Sequence, residues 1–332
     1  MTVWVDVVAR TRGLATRMLT PADVAELART RDLRSLATTL ATRRGRPAPE
    51  ATLAPQDLDD AEARHTAAQL RILSRWIGAR KALGMLYEEE DCRTLRALLR
   101  DAVAGMPAAE KLVGLIPTPS LPPRTMAQLA AAGSSASMAA LLATHGHPYG
   151  PPLLAEATRQ QPDLFRMEHA IVETWARRAT RYAHRAGRAI RTYVQRSIDL
   201  ANIWTMLLVT QYGFDDDREE LYIEGGKVVT RAAFTSHIAE PSRPAAQRQL
   251  DELVRRTPLA AATRPGPGAE ERVRVALARE QEALARRDPL GAAAVIVYWL
   301  RLRGERATVQ RLIWSTAAGA PVSWRTRERG AR

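Results

Sequence analysis

Asp215, Asp216 and Glu219, in the stretch "FDDDREE", hold the DDxxE spacing that gathers carboxylates on magnesium and a diphosphate. That chemistry needs a second metal-binding array and an aromatic-lined pocket. No second Asn/Asp–Ser/Thr–Glu array occurs and the chain has three phenylalanines, so a solvated acidic loop is the preferred reading. His145 and His147, in "HGHPYG", are close enough in sequence to chelate a metal, but no carboxylate cluster accompanies them and a polar loop is expected. His169, with Glu173 one turn on, reads as part of an ordinary helix. Cys92 is the single cysteine, which excludes an internal disulfide and a multi-cysteine zinc site. Without a histidine near it in sequence, nucleophilic catalysis is unsupported. "GGK", residues 225 to 227, is no phosphate loop: Leu221 stands where the first glycine is required and Val228 where Ser or Thr would reach magnesium. No catalytic, cofactor-binding or metal-ligating residue is assigned.

Acids in a second setting say more. In "DLANIWTMLLVTQYG", residues 199 to 213, Asp199 and Asn202 lie beside the stripe of Leu200, Ile203, Met206, Leu207 and Leu208 rather than opposite it. At about 100° per residue, offsets of 0, +3 and +7 fall within about 60° of one another, so both polar groups sit by a buried face and each needs a partner. The pattern recurs in "DCRTLRALLRDAVAG" from Asp91 and "ERATVQRLIWSTAAG" from Glu305. An acid (Asp91, Asp199, Glu305) is followed at +3 by Thr94, Asn202 or Thr308, and by apolar residues at +4, +7 and +8. A glycine closes each copy at +14 (Gly105, Gly213, Gly319), as a helix C-terminus favours. The acids lie 108 and 106 residues apart, a domain-sized period. A fainter match joins "LTPADVAEL" from Leu19, "LPPRTMAQL" from Leu121 and "VTRAAFTSH" from Val229 at the front of each copy.

The elements that position these residues are helical. Amphipathic periodicity covers 20–42, 62–104, 124–143, 167–212, 229–238, 244–256, 269–286 and 290–318. Breaks fall at 43–55, 117–123, 145–152, 213–226 and 263–268. Thr20 and Asp288, each followed by proline, are expected N-caps. "LYIEGGKVV" is the one plausible short ribbon. The expected fold is all-α, with three degenerate helical repeats of about 106 residues at 1–116, 117–226 and 227–332.

Of 332 residues 46% are apolar, which fits a globular protein, and 5% are aromatic. Lys and Arg number 49 against 36 acids, a net charge of +13 that favours anionic partners, although much of the excess is Arg scattered among Ala. The N-terminus lacks the apolar core of a signal peptide. The longest near-continuous apolar run, residues 290–300, falls short of the roughly 20 residues a spanning helix needs. A soluble protein, at most peripheral to a membrane, is expected.

The order and spacing of these motifs resemble the C-type subunit of the V/A-type (vacuolar/archaeal-type) rotary ATPases, whose eukaryotic form is the d-type subunit, over essentially the whole chain. "DLANIWTMLL" and "DCRTLRALLR" resemble that family's acid-x-x-Asn-aliphatic helices. "VIVYWLRLRGERATVQRLIWSTAAGAP" resembles its closing helix, "YIEGGKV" the Gly-Gly turn that opens its third domain, and "LTPADVAEL" its opening helix. The chain departs at Thr94 and Thr308, where Asn is common, and at Val209 and Gln310, where basic residues are expected. Gly304 stands mid-helix, at a cost of about 1 kcal/mol relative to Ala, and the tyrosine-rich opening is missing.

The resemblance implies a funnel of three pseudo-threefold-related helical domains. It implies a non-catalytic central-stalk rotor subunit without cofactor, peripheral on the cytoplasmic face of a membrane. The wide face would cap the proteolipid ring and the mouth would receive the central shaft. Asp91, Thr94, Asp199, Asn202, Glu305 and Thr308 then read as joint residues, with Asp199 and Asn202 bonded to a neighbouring helix or domain, in part through arginine. A partnered carboxylate inside the fold is preferred over direct shaft contact. The positive charge would meet anionic lipid headgroups, at about 1 kcal/mol per basic residue, or acidic loops of shaft or ring.

The main alternative is a basic helical nucleic-acid-binding protein, from the run "ARRATRYAHRAGRAIRTYVQR" at 176–196. Its neighbouring apolar positions, Ile171, Val172, Trp175, Ala179 and Tyr182, fit a core stripe with Arg on the solvated side, and no helix-turn-helix or zinc-finger spacing accompanies it. An all-α magnesium-dependent isoprenoid synthase, from the DDxxE run, ranks below it.

Overall fold

A computed structural model describes residues 4–47, 54–74, 80–213, 218–240, 242–264, 266, 268–322 and 325. Its regular structure is helical, with no strand among the described residues. Asp215 and Asp216 of the DDxxE run lie outside them, and Glu219 sits exposed in a short 3-10 turn. In chain order the helices are α1 (Val5–Ala15), α2 (Pro21–Arg29), α3 (Leu33–Arg43), α4 (Pro55–Ser74), α5 (Arg80–Val103), α6 (Ala108–Lys111), α7 (Pro123–Ala131) and α8 (Ser135–Thr144). They continue as α9 (Gly150–Ala157), α10 (Leu164–Ala183), α11 (Arg188–Tyr212), α12 (Arg231–Ala239), α13 (Arg243–Val254), α14 (Ala269–Arg287) and α15 (Ala292–Ala317).

A similar order of elements occurs three times, with α9 added in the second series and a short 3-10 turn in the third. A nine-residue helix (α2, α7, α12) is followed, after three linking residues, by α3, α8 or α13. A pair of longer helices (α4–α5, α10–α11, α14–α15) closes each series. Thr20 caps α2 with a capping box to Asp23, and Thr230 accepts the N–H of Ala233 at the start of α12. The continuous periodicity at 20–42 and 124–143 is split in the structure. Asp32 and Ser134 interrupt it by capping α3 and α8, taking the N–H of Ser35 and Ser137. The segment expected at 167–212 breaks likewise, at Gly187, whose φ of 92° starts α11. Asp288 does not cap α15; it ends α14, and the closing helix begins after Gly291.

The expected closing glycines stand where their helices stop. Gly105, Gly213 and Gly319 have φ of 70°, 69° and 65°. Gly304 has a local reason: a Cβ there would collide with the Arg274 guanidinium, which packs across it and donates to the carbonyl of Leu300 at 2.9 Å.

Packing links each series to the next. The opening pair α7 and α8 rests on α5, and α12 and α13 rest on α11. The first pair, α2 and α3, rests on α15, at the other end of the chain. There Leu27, Leu36 and Leu40 enclose Val309, Leu312 and Ile313 in a core of their own. Leu312 and Ile313 are fully buried, each contributing about 1.5–3 kcal/mol of transfer free energy. One larger core runs through α1, α4, α5, α7 to α14 and the first half of α15. Among the described residues, no helix is long and apolar enough to cross a membrane.

Candidate interface site: three acid clamps and a shared cavity

Asp199 is fully buried on α11, and its carboxylate grips the backbone of the segment leading to α12. Oδ1 accepts the N–H groups of Lys227, Val228 and Val229 at 2.9, 2.9 and 3.0 Å, and Oδ2 accepts that of Val228 at 3.0 Å. One turn on, Asn202 donates its amide to the carbonyl of Ile223 at 2.8 Å and accepts the N–H of Ile223 at 2.9 Å. The expected ribbon at "LYIEGGKVV" is therefore not a ribbon, because side chains of α11 supply the partners a second strand would have supplied. Gly226 is required by close approach, since a Cβ there would meet Asp199 Oδ1. Burial pushes the Asp199 carboxyl up, against the pull of the N–H groups it accepts. The partner is backbone rather than arginine: Arg196 stays 3.9 Å away and pairs with Glu280 at 3.1 Å.

Asp91, 1% exposed on α5, performs the corresponding task through hydroxyls. Thr118 donates to Oδ1 at 2.5 Å, and Ser120 donates to Oδ2. Thr118 Oγ1 in turn accepts the N–H of Leu121, where the second opening stretch starts. The reach along the chain matches in both clamps: Ser120 is 29 residues beyond Asp91 and Val228 is 29 beyond Asp199. His147 is buried beside this clamp rather than in an open polar loop, its Nε2 3.9 Å from Asp91 and its ring 5.2 Å from that of Tyr149.

Burial pushes the Asp91 carboxyl up to about 7, with the Ser120 and Thr118 hydroxyls pulling against it. Burial likewise pushes His147 down to about 4. A carboxyl whose folded pKa exceeds its unfolded value keeps a proton that the unfolded chain has released, so stability falls as pH rises through that window. Wild type should therefore lose stability relative to Asp91→Asn between about pH 4 and 7, at up to about 1.4 kcal/mol per pH unit. Urea unfolding of both proteins across that range measures it; a difference independent of pH would contradict the assignment.

Glu305 closes the series on the first copy. Its Oε2 accepts the N–H of Leu19 at 2.5 Å, directly before α2, and its Oε1 accepts from Arg44 at 2.7 Å. Arg44 also reaches Glu62 at 3.0 Å, and the three side chains are 4–6% exposed. Burial works against the Arg44 charge, but Glu62 and Glu305 together hold its guanidinium above the usual range. The same burial, with Arg44 and Arg46 alongside, pushes His65 down to about 3. From the next residue of α15 onward, fully buried Asp59 of α4 pairs with Arg306 at 2.5 Å and accepts from Gln310 at 3.0 Å and Trp314 at 3.2 Å.

Each of the three repeated acids thus holds the segment that starts an opening helix pair. At +3 only Asn202 joins its clamp: Thr94 is buried and Thr308 half-buried, and among the described residues neither hydrogen-bonds a facing segment. Sequence reading missed Thr118, Ser120, Arg44 and Glu62. The shared 29-residue reach was the signal available for the serine. For the Arg44 triad none was, since its partners are far apart in the chain.

The helices that carry the acids also share a cavity of about 500 Å³, walled by α5, α10, α11, α14 and α15. An ion-pair lattice crosses it. Arg93 meets Glu270 at 2.7 Å, Arg303 meets Glu89 at 2.9 Å, and Arg96 and Arg100 both meet Glu168. Tyr193 donates to Glu89 at 2.6 Å. Between these charges the wall is apolar, with Phe165, Trp204 and Leu208, the last 38% exposed.

The remaining candidates fall elsewhere. Cys92 is buried with its thiol against Tyr149, and burial pushes that thiol up, away from thiolate chemistry. His169 bonds the carbonyl of Leu221 at 2.9 Å. Among the described residues no group of three or more His, Cys, Asp and Glu side chains is arranged to hold a metal ion. The basic run at 176–196 is split between α10 and α11, with Ile171, Trp175 and Ala179 buried as a core stripe and Arg178 paired with Glu88.

No curated protein matches the chain at a significant level. The family model described as ATP synthase (C/AC39) subunit matches residues 7–323, so the chain belongs to the C/AC39 family of V/A-type ATPase subunits.

Proposed function

We propose that the chain is a non-catalytic rotor subunit of the central stalk, seated between the membrane proteolipid ring and the shaft. The observation that carries this reading is the cyclic clamping. The acids of α5, α11 and α15 hold the openings of the second, third and first helical series, around a cavity those helices share. A chain that closes on itself in this way makes a stiff collar, and torque passes through a collar without a chemical step. Three quasi-equivalent units, at 1–116, 117–226 and 227–332, would grip one axial rod. On this reading the face that carries the cavity mouth meets the shaft, the opposite face caps the ring on the cytoplasmic side, and part of the +13 charge meets anionic headgroups. The joint residues act on the shaft only by holding the collar together.

Leu208, half-exposed on the cavity wall, gives the test. Leu208→Glu should weaken binding of the shaft subunits about tenfold or more, through a buried, unpaired charge, with the melting temperature unchanged. Binding equal to wild type would remove the cavity from the shaft interface.

A further inference from the structure

A second cleft, of about 700 Å³, lies away from the central cavity, between the start of α11 and the end of α14. Its walls follow from helical spacing: Arg188, Arg191 and Gln195 recur every three to four residues on α11, and Glu280, Leu284 and Arg287 do so on α14. Lys227 completes it from the segment that Asp199 clamps. Its backbone N–H is fixed on the carboxylate while its side chain lines the cleft.

The lining is strongly basic: five of its ten residues are Arg or Lys and one is an acid. Some arginines elsewhere meet carboxylates, as in Arg231–Glu224, Arg301–Glu282 and Arg178–Glu88. Here the one lining acid, Glu280, is already taken by Arg196. Arg188, Arg191, Arg287 and Lys227 have no carboxylate partner among the described residues. All four are exposed, and α11 opens behind them at Gly187 with no side-chain cap. Guanidinium forks and an ammonium converging on one cleft match phosphate oxygens. Thr192 and Gln195 add neutral groups for hydroxyls. No aromatic ring lines the cleft, so nothing is offered to a nucleobase.

We infer that this cleft binds an anion carrying several phosphate groups, either the headgroup of a polyphosphorylated lipid or a soluble polyphosphate, independently of the rotor reading.

The full-length chain is titrated with inorganic tripolyphosphate and sedimented with phosphatidylcholine vesicles, with and without phosphatidylinositol bisphosphate. The cleft variant Arg188→Gln/Arg191→Gln/Lys227→Gln is compared with a charge-matched control, Arg31→Gln/Arg34→Gln/Arg124→Gln. The expected result is about a tenfold or greater loss of affinity in the cleft variant alone. Tripolyphosphate binding lost this way identifies a soluble anion, and binding confined to the inositide vesicles identifies a lipid headgroup. Failure of both probes to bind wild type, retention in the cleft variant, or equal loss in the control overturns the site. Lys227 is one of three lysines in the chain and Lys111 is buried, so a second readout needs no variant. Tripolyphosphate or the inositide vesicles should shield Lys227 of the wild-type chain from amine acylation, and unshielded labelling would also overturn the site.

Discussion

Asp199→Leu lowers the unfolding free energy by about 3–5 kcal/mol. The N–H groups of Lys227, Val228 and Val229 lose their acceptor, two of them in half-buried or buried positions. An orphaned buried donor costs about 1–3 kcal/mol, partly offset because no carboxylate has to be desolvated. Asp199→Asn should cost less, about 1–2 kcal/mol, since one oxygen at the Oδ1 position still faces the same donors. Urea unfolding gives both numbers. Amide exchange at Val228 and Val229 should rise more than at α11 itself, locating the opening at the clamp. An Asp199→Leu protein that melts with wild type but has lost shaft binding would make Asp199 a contact residue instead.

The second large effect is at Arg44. Arg44→Met removes the cation between Glu62 and Glu305, two carboxylates that are 4% and 6% exposed. The expected loss near neutral pH is about 3–5 kcal/mol, because the two buried acids lose the cation they share and keep only half-exposed Arg46, 3.7 Å from Glu62. The repulsion between them acts only while both are ionised. Where both acids are protonated the missing cation carries no charge penalty, and the penalty grows as pH rises and they ionise. The deficit should thus be smallest near pH 4 and grow toward pH 7, the reverse of ordinary acid denaturation. Thermal melts of the pair at several pH values read this directly. A deficit that shrinks as pH rises would show that the two acids had found other cations.

How much of this was readable in advance depended on whether the signal was local. The acid at offset 0 and the glycine at +14 are features of one helix, so Asp91, Asp199 and Glu305 emerged with Gly105, Gly213 and Gly319 in place. The N-cap of α2 was visible for the same reason. The three-residue links were not, because α2 and α3 share an apolar phase across Thr30–Asp32 and periodicity alone reads them as one helix. The partners of the acids were hidden more deeply. Carboxylates beside an apolar face had to be satisfied, but whether by arginine or by backbone is decided by a segment about 29 residues away. Closure of α15 onto α2 and α3 joins Glu305 to Leu19 across 286 residues, a distance at which a single sequence carries no pattern.

The most direct measurement is a co-purification from the cells that make the protein. The C-terminus is tagged, membranes are dissolved in mild detergent, and bound proteins are identified by mass spectrometry. Recovery of proteolipid together with shaft and ATPase-head subunits is the expected result. Recovery of nucleic-acid proteins, or of no membrane subunit, would contradict a place in the rotor.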